Sequence, residues 1–301
     1  LTFQVIAQSI QDLHRMDKTG FPLDVGINFE PAMLADPKAM LDLRHQIQNS
    51  GLEANRIILE LLERADTLSA AEAQEALHEL KTCGVQVALD DVGSAYSSLL
   101  RMKELPVDII KLDRSFSIGL ERHPKELRFL LNLVNLAQAL GLGLIAEGIE
   151  SPACRDALAA LGVQQAQGYA IAMPMDIEEL EQWLQKHEPV PWEGPASLLG
   201  AAALQLRDLD AAGRIMSQQP SFLQHLVTHG PDFEQELGLN IQSIGPEASK
   251  LLSAHRSWRT TLSSLLAQSN GAVDRHAFHA ARTVYEEDLF RAVLEASPDA
   301  V

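Results

Sequence analysis

A chain of 301 residues, 46% of them hydrophobic, can bury the core of one large domain and a smaller one. Its net charge of −17 excludes broad electrostatic binding to nucleic-acid polymers or anionic lipid, yet permits a small anionic substrate where bound cations reverse the local field. Two cysteines, no apolar run of membrane-spanning length and a start rich in Gln4, Gln8, Gln11, Asp12 and His14 argue against a disulfide scaffold, a membrane segment or a signal peptide, and for a cytoplasmic protein.

The chain opens on a helical pattern, Leu1–Met16, with Phe3, Ile6, Ile10 and Leu13 on one face. Short β-rich runs follow at Leu23–Asn28, Arg56–Glu60, Val85–Asp90, Asp108–Leu112, Gly143–Glu147 and Val163–Gln167. Between them lie amphipathic patterns such as Ser69–Thr82 and Pro124–Leu140; in the second, Leu127, Leu130, Leu131 and Val134 recur at helical spacing. Gly84 and Gly141 stand where C-caps are needed. Such alternation predicts α/β structure with a parallel sheet. Each predicted strand carries a polar side chain at or next to its C-terminal end: Asn28, Glu60, Asp90, Lys111, Glu147 and Gln167 in turn. A closed barrel gathers those ends at one mouth, whereas an open sheet spreads them along an edge. The expectation is therefore a TIM-like barrel. No strand precedes Leu1, so the barrel is expected to lack its first strand here, as in an N-terminally truncated fragment.

The proline-rich stretch near 189–195 reads as a linker. Beyond it Ala196–Gln218, Pro246–Gln268 and Val273–Ala296 look helical. The predicted division is a barrel over 1–188, a linker over 189–195 and an all-α, regulatory bundle over 196–301.

The chemistry-bearing residues sit at the strand ends. Asp90 and Asp91, adjacent and followed by Gly93, suit a ligand pair bridging two hard cations; a loop with a helix-capping aspartate is the competing reading. Glu60 and Glu63 point differently along their strand, so one can serve a metal while the other steadies a loop. For Glu60 and Glu147 the alternative is a solvated carboxylate leaving the core. Lys111 ends an apolar strand and is costly to bury unless carboxylates surround it, the alternative being a rim lysine reaching solvent. Gln167, before Gly168 and Tyr169, has ordinary turn composition.

Taken in order, Gly26-Ile27-Asn28-Phe29, Leu59-Glu60-Leu61-Leu62-Glu63, the run from Asp90 to Leu99, Ile109-Ile110-Lys111-Leu112-Asp113, Ala146-Glu147-Gly148-Ile149-Glu150 and Gln167-Gly168-Tyr169 resemble the EAL family of cyclic di-GMP phosphodiesterases over residues 1 to about 187. The resemblance implies a modified (βα)8 barrel that hydrolyses cyclic di-GMP to linear pGpG in bacterial second-messenger signalling, with two ions of Mg²⁺ or Mn²⁺. It implies Asn28, Glu60, Asp90, Asp91 and Glu147 as metal ligands, with Glu147 also eligible as general base. Lys111 would hold the attacking water and the developing charge, Gln167 would complete the site, and Glu63 would steady the loop after Asp91. It also admits a homodimer and an upstream GGDEF or sensor module. The Glu-Ala-Leu motif that names the family lies upstream of Leu1, so this chain alone is expected to be weak or inactive. Val92, Ser94 and Ala95 replace the family's phenylalanine and threonine-glycine, and Gln164 stands where an aspartate is usual. These departures keep a second reading in view, a degenerate domain that binds cyclic di-GMP as a receptor without cleaving it.

Past the linker, His225 and His229, with His255, His276 and His279, offer imidazoles at helical spacing. Gln235-Glu236-Leu237-Gly238 and His255-Arg256-Ser257-Trp258 faintly resemble zinc-binding bundles attached to chemoreceptors and cyclases, without that family's cysteine and in the opposite order. Surface and core histidines of a regulatory bundle are the preferred reading, with a zinc site as the alternative.

Overall fold

A computed structural model describes residues 2–62, 70–92, 104–187, 191–218, 248–268 and 275–296. Six strands, β1 (Val25–Asn28), β2 (Ile57–Leu62), β3 (Gln86–Val92), β4 (Ile109–Leu112), β5 (Gly143–Ala146) and β6 (Gln165–Ala166), pair in sequence order as one sheet. Every pairing is parallel, and the sheet curls as a half-barrel with helices around it, as the strand–helix alternation predicts. Helix α1 (Thr2–Lys18) precedes β1, α2 (Pro37–Gln48) and α3 (Ala70–Lys81) follow β1 and β2, and α4 (Glu126–Leu140) joins β4 to β5. Then come α5 (Pro152–Leu161), α6 (Ile177–Lys186), α7 (Leu198–Gln218), α8 (Ala248–Gln268) and α9 (Arg275–Ala296).

Helix starts follow their capping chemistry. Asp36 accepts from the Lys38 backbone N–H ahead of α2, Ser151 from Cys154 ahead of α5, and Asp176 with Glu179 forms a reciprocal capping box on α6.

The chain divides into two compact units: residues 1–115, 135–148 and 165–190 in the first, and 116–134, 149–164 and 191–301 in the second. The core of the first lies between the sheet and its helices. Ile27, Leu59, Leu61, Val87, Leu89 and Ile110 supply the sheet side, and Ile6, Leu43, Ile47, Leu77 and Leu80 the helix side. Ile6, one of the apolar residues predicted to line α1, is fully buried there.

The second unit takes in 116–134 and 149–164, stretches that the sequence reading placed in a domain ending at 188. Within that unit Asp156 on α5 anchors the chain that follows residue 191. Its buried carboxylate accepts hydrogen bonds from Trp192 Nε1 (2.9 Å), the backbone N–H groups of Ala196 (2.9 Å) and Ser197 (2.8 Å), and Ser197 Oγ (2.6 Å). The predicted linker is thus tied down from Trp192 onward. Small residues let α5 and α7 approach closely, with Ala157, Ala160, Ala201, Ala202 and Ala203 all buried. Arg207 donates to the Ala160 carbonyl at 2.7 Å, satisfying an otherwise orphaned group near the end of α5.

The two cysteines, both free thiols, differ in environment. Burial pushes the Cys154 thiol up to about 11, with Glu121 and Glu150 adding to the effect. At pH 8 iodoacetamide is expected to alkylate the half-buried Cys83 about a hundredfold faster than Cys154, because the thiolate is the nucleophile. Peptide mass mapping over time checks this, and equal rates would contradict it.

Candidate metal centre

The pleat and the register decide which side chains share a face. Asn28 stands opposite Glu60, Ala88 opposite Ile109, and Lys111 opposite Ile145. Since side chains alternate along each strand, Gly26, Asn28, Ile58, Glu60, Ala88, Asp90 and Lys111 lie on one face, away from the helix-covered core. The charged residues of this face stand at the C-terminal ends of its strands.

At that end Lys111 Nζ is surrounded by carboxylates: Glu147 Oε1 at 2.6 Å, Glu60 Oε2 at 2.8 Å and Asp90 Oδ1 at 3.0 Å. The lysine side chain is only 5% exposed. Burial disfavours its charge, but hydrogen bonds to Glu147 and Glu60 and the nearby negative charges more than offset this, so its pKa stands above the ordinary lysine value. Burial also raises the Glu147 carboxyl above its usual range, opposed by the Lys111 ammonium. Gln167 Nε2 donates to Glu147 Oε1 at 2.7 Å and fixes its orientation.

Asp90 and Asp91 require a departure from strand geometry. A regular strand would send consecutive side chains to opposite faces. Here the β3–β4 register shifts between Leu89 and Val92, so both aspartates stand against Lys111 alone. Asp91 has φ 57°, the only non-glycine positive φ among the described residues. The bulge brings carboxylate oxygens of Asp90, Asp91 and Glu147 within 4.8 Å of one another, a spacing that one cation can bridge. Immediately after Glu147 the chain turns at Gly148 (φ +65°), where a Cβ would fall 3.1 Å from Arg114 Cα, so glycine is needed both for space and for conformation.

A cavity of about 630 Å³ opens beside this cluster, lined by Gly26, Asn28, Phe29, Glu60, Leu62 and Asp90 among others. Asn28, farther from Lys111 in the sheet, thus joins Glu60 and Asp90 on its wall. The residues predicted from strand ends come together, and Glu63 falls outside the described residues.

The donor set fits divalent cations. Glu60, Asp90 and Glu147 crowd a single ammonium, with Asp91 beside them, leaving an excess of negative charge at a buried site. Asp90 Oδ1 in particular is buried with no aligned hydrogen-bond donor, although it feels the lysine charge. Carboxylate and amide oxygens are hard ligands suited to such ions.

A family model described as the EAL domain matches residues 1–174. The chain belongs to the EAL family. An EAL chain so matched has relatives named for their activity: RocR of Pseudomonas aeruginosa, a cyclic di-GMP phosphodiesterase, is 33% identical over 58% of this chain and 45% of its own length. PdeR of Escherichia coli, likewise named a cyclic di-GMP phosphodiesterase, is 31% identical over 61% of this chain and 28% of its own. The chain therefore spans less than half the length of these curated relatives. Among solved structures, the EAL domain of Mycobacterium smegmatis DcpA superposes with a TM-score of 0.59 at 31% identity, covering 64% of this chain and 86% of that one. The MucR phosphodiesterase in complex with c-di-GMP gives 0.54 at 28% identity, covering 59% of this chain and 72% of that one.

The histidines read as zinc candidates fall differently. His255 is buried, with Nδ1 3.1 Å from the Tyr285 hydroxyl, which itself donates to Gln205 Oε1 at 2.9 Å. Because that hydroxyl has a single proton, His255 Nδ1 is the donor to it. His276 and His279 are exposed, and His225 and His229 lie outside the described residues. No described helix is long and apolar enough to cross a membrane.

Proposed function

We propose that this EAL domain hydrolyses one phosphodiester bond of cyclic di-GMP, giving linear pGpG. The observation that carries the reading is the convergence of Glu60, Asp90 and Glu147 on Lys111, with Asp91 turned to the same side by a bulge. Asn28, Glu60, Asp90, Asp91 and Glu147 would hold two divalent cations, Mg²⁺ or Mn²⁺. Those ions would supply charge neutralisation and lower the pKa of the attacking water.

The remaining work falls to side chains. Lys111 sits where negative charge grows on the phosphoryl oxygens during attack and stabilises it at short range. Glu147, its carboxyl raised by burial and oriented by Gln167, takes the proton as the water oxygen forms the new P–O bond. The opposite P–O3′ bond breaks, and its oxygen leaves as a hydroxyl by taking a proton from solvent, while Glu147 returns to solvent the one it accepted. Asn28 and Glu60 form the cavity wall against which the scissile phosphate is held in line.

Incubating the full-length protein with cyclic di-GMP and Mn²⁺ and separating nucleotides by chromatography tests this. The expected product is pGpG, with turnover in Asp90→Asn reduced at least about a hundredfold. Equal turnover in that variant removes Asp90 from the mechanism. Binding of cyclic di-GMP without any pGpG would select the receptor reading, which the substitutions at Val92, Ser94 and Ala95 keep open.

A further inference from the structure

Gly26 stands in a stretch that resembles the EAL family, yet no role in the site has been given to it. A glycine inside a strand weakens it by about 0.5–1 kcal/mol relative to alanine and usually marks a close approach by another group. Its φ is not left-handed, so conformational freedom is not the reason for it. Space is. A Cβ built on residue 26 would overlap Glu60 Oε1 and lie 2.9 Å from Glu60 Cδ and 3.6 Å from Cγ. The carboxylate of Glu60 thus rests flat against the bare Cα of β1, one oxygen over Gly26 and the other 2.8 Å from Lys111 Nζ. Register supports the seat, because Gly26 pairs with Ile58 and Asn28 with Glu60, so both β1 residues share a face with the glutamate. The cavity lining repeats the grouping, with Gly26, Asn28 and Glu60 on one wall.

We infer that Gly26 is a positioning residue: it provides the seat that sets where the Glu60 carboxylate stands relative to Lys111 and the cation site. The inference rests on Glu60 being a metal ligand, as proposed above. The group in conflict with a side chain at position 26 is the far end of a flexible glutamate, so the fold tolerates alanine there while the carboxylate moves. The displacement is on the order of 1 Å, several times the tolerance of a metal–oxygen bond.

Three variants of the full chain, Gly26→Ala, Glu60→Asp and the double variant, separate this role from a general packing effect. Mn²⁺ binding is followed through the free-ion electron paramagnetic resonance signal, and folding through thermal melting. In the parent background Gly26→Ala is expected to weaken Mn²⁺ binding about tenfold, with its melting temperature lowered by no more than about 3 °C. In the Glu60→Asp background, where the shorter side chain stays clear of residue 26, the same substitution is expected to change affinity by less than about twofold. Equal losses in both backgrounds, or no loss in either, overturn the inference. A crystal structure of Gly26→Ala gives a second readout that needs no metal: the Glu60 carboxylate is expected off its seat and away from Lys111. An unmoved carboxylate also overturns it. If the parent protein binds no Mn²⁺, the metal-centre reading fails, and the displacement of Glu60 alone then decides whether the seat exists.

Discussion

Lys111→Met is expected to lower turnover about a thousandfold and, with divalent ions chelated, to destabilise the fold by about 3–5 kcal/mol at pH 8. The ammonium is the shared partner of Glu60, Asp90 and Glu147, each within 3.0 Å of it. Removing it leaves buried carboxylates facing one another with nothing to neutralise them, and breaking such a group from one side costs far more than the intact group contributes. Methionine fills similar volume, so the loss is electrostatic rather than a cavity effect. In a chain of this size the melting temperature should fall by roughly 5–15 °C.

The pH dependence of that loss follows from the direction of each shift. Lys111 is raised above its ordinary value, so its contribution is present throughout neutral pH and fades only as pH climbs through its folded value. Glu147 is raised as well, so what it contributes is complete below its ordinary value and is lost as pH rises through its folded value. At pH 8 its ionised form therefore depends on the lysine. Without Lys111 the cluster can relax only by taking up a proton, so the gap between variant and parent should be widest near pH 8 and narrow towards pH 5. Melting curves in EDTA at both values test this. A gap independent of pH would show that the lysine acts through packing alone.

The second large effect belongs to Asp156. Asp156→Ala removes a buried acceptor that satisfies Trp192 Nε1, two backbone N–H groups and the Ser197 hydroxyl, all at a part-buried site. The loss of four part-buried hydrogen bonds to a charged acceptor, which also caps the start of α7, costs about 2 kcal/mol. Asp156→Asn should be milder, because the amide oxygen can take the place of Oδ2, which receives Ala196, Ser197 N–H and Ser197 Oγ, so that only Trp192 Nε1 faces an amide nitrogen. Gly200 shows how tightly the carboxylate is enclosed, since a Cβ there would overlap it. Urea unfolding followed by circular dichroism measures the loss, and limited proteolysis should cut the alanine variant faster between 188 and 197. A midpoint unchanged in Asp156→Ala would mean that the carboxylate is not what holds this stretch.

Much of the first unit was legible because two simple periods write it. Strand runs with a polar residue at or next to the C-terminal end predicted all six strands, and β1, β4 and β5 keep the predicted C-terminal ends to within a residue. Leu127, Leu130, Leu131 and Val134, placed on one face by spacing alone, are all buried. The site was legible for the same reason: in a parallel sheet the strand ends lie at one rim. The aspartate pair shows where pattern stops. Period-two alternation separates Asp90 from Asp91, and only a bulge with a left-handed residue reunites them. Aspartate tolerates that conformation better than most residues, but nothing in the spacing announces it. The role of Gly26 was hidden differently, because a glycine that serves by lacking a side chain leaves no periodic signal.

How the stretch after residue 190 packs was not legible, because composition is a poor guide to packing. Proline and glycine near 189–195 do resemble a tether. A tether's freedom, however, depends on whether anything binds it, and the binding group is a single aspartate about 36 residues upstream. Long-range side-chain capping of this kind has no local signature. His255 illustrates a related point: its usefulness as a metal ligand depends on what faces it, and Tyr285 does.

The central claim is that Asp90, Asp91 and Glu147, with Asn28 and Glu60 beside them, form a divalent-cation centre next to Lys111. Crystals soaked in Mn²⁺ and measured at the manganese absorption edge test it most directly. Anomalous density at bonding distance from the carboxylates of Asp90, Asp91 and Glu147, absent in Asp90→Asn crystals, is the predicted result. Density confined to other acidic surfaces, or unchanged in the variant, would contradict the account.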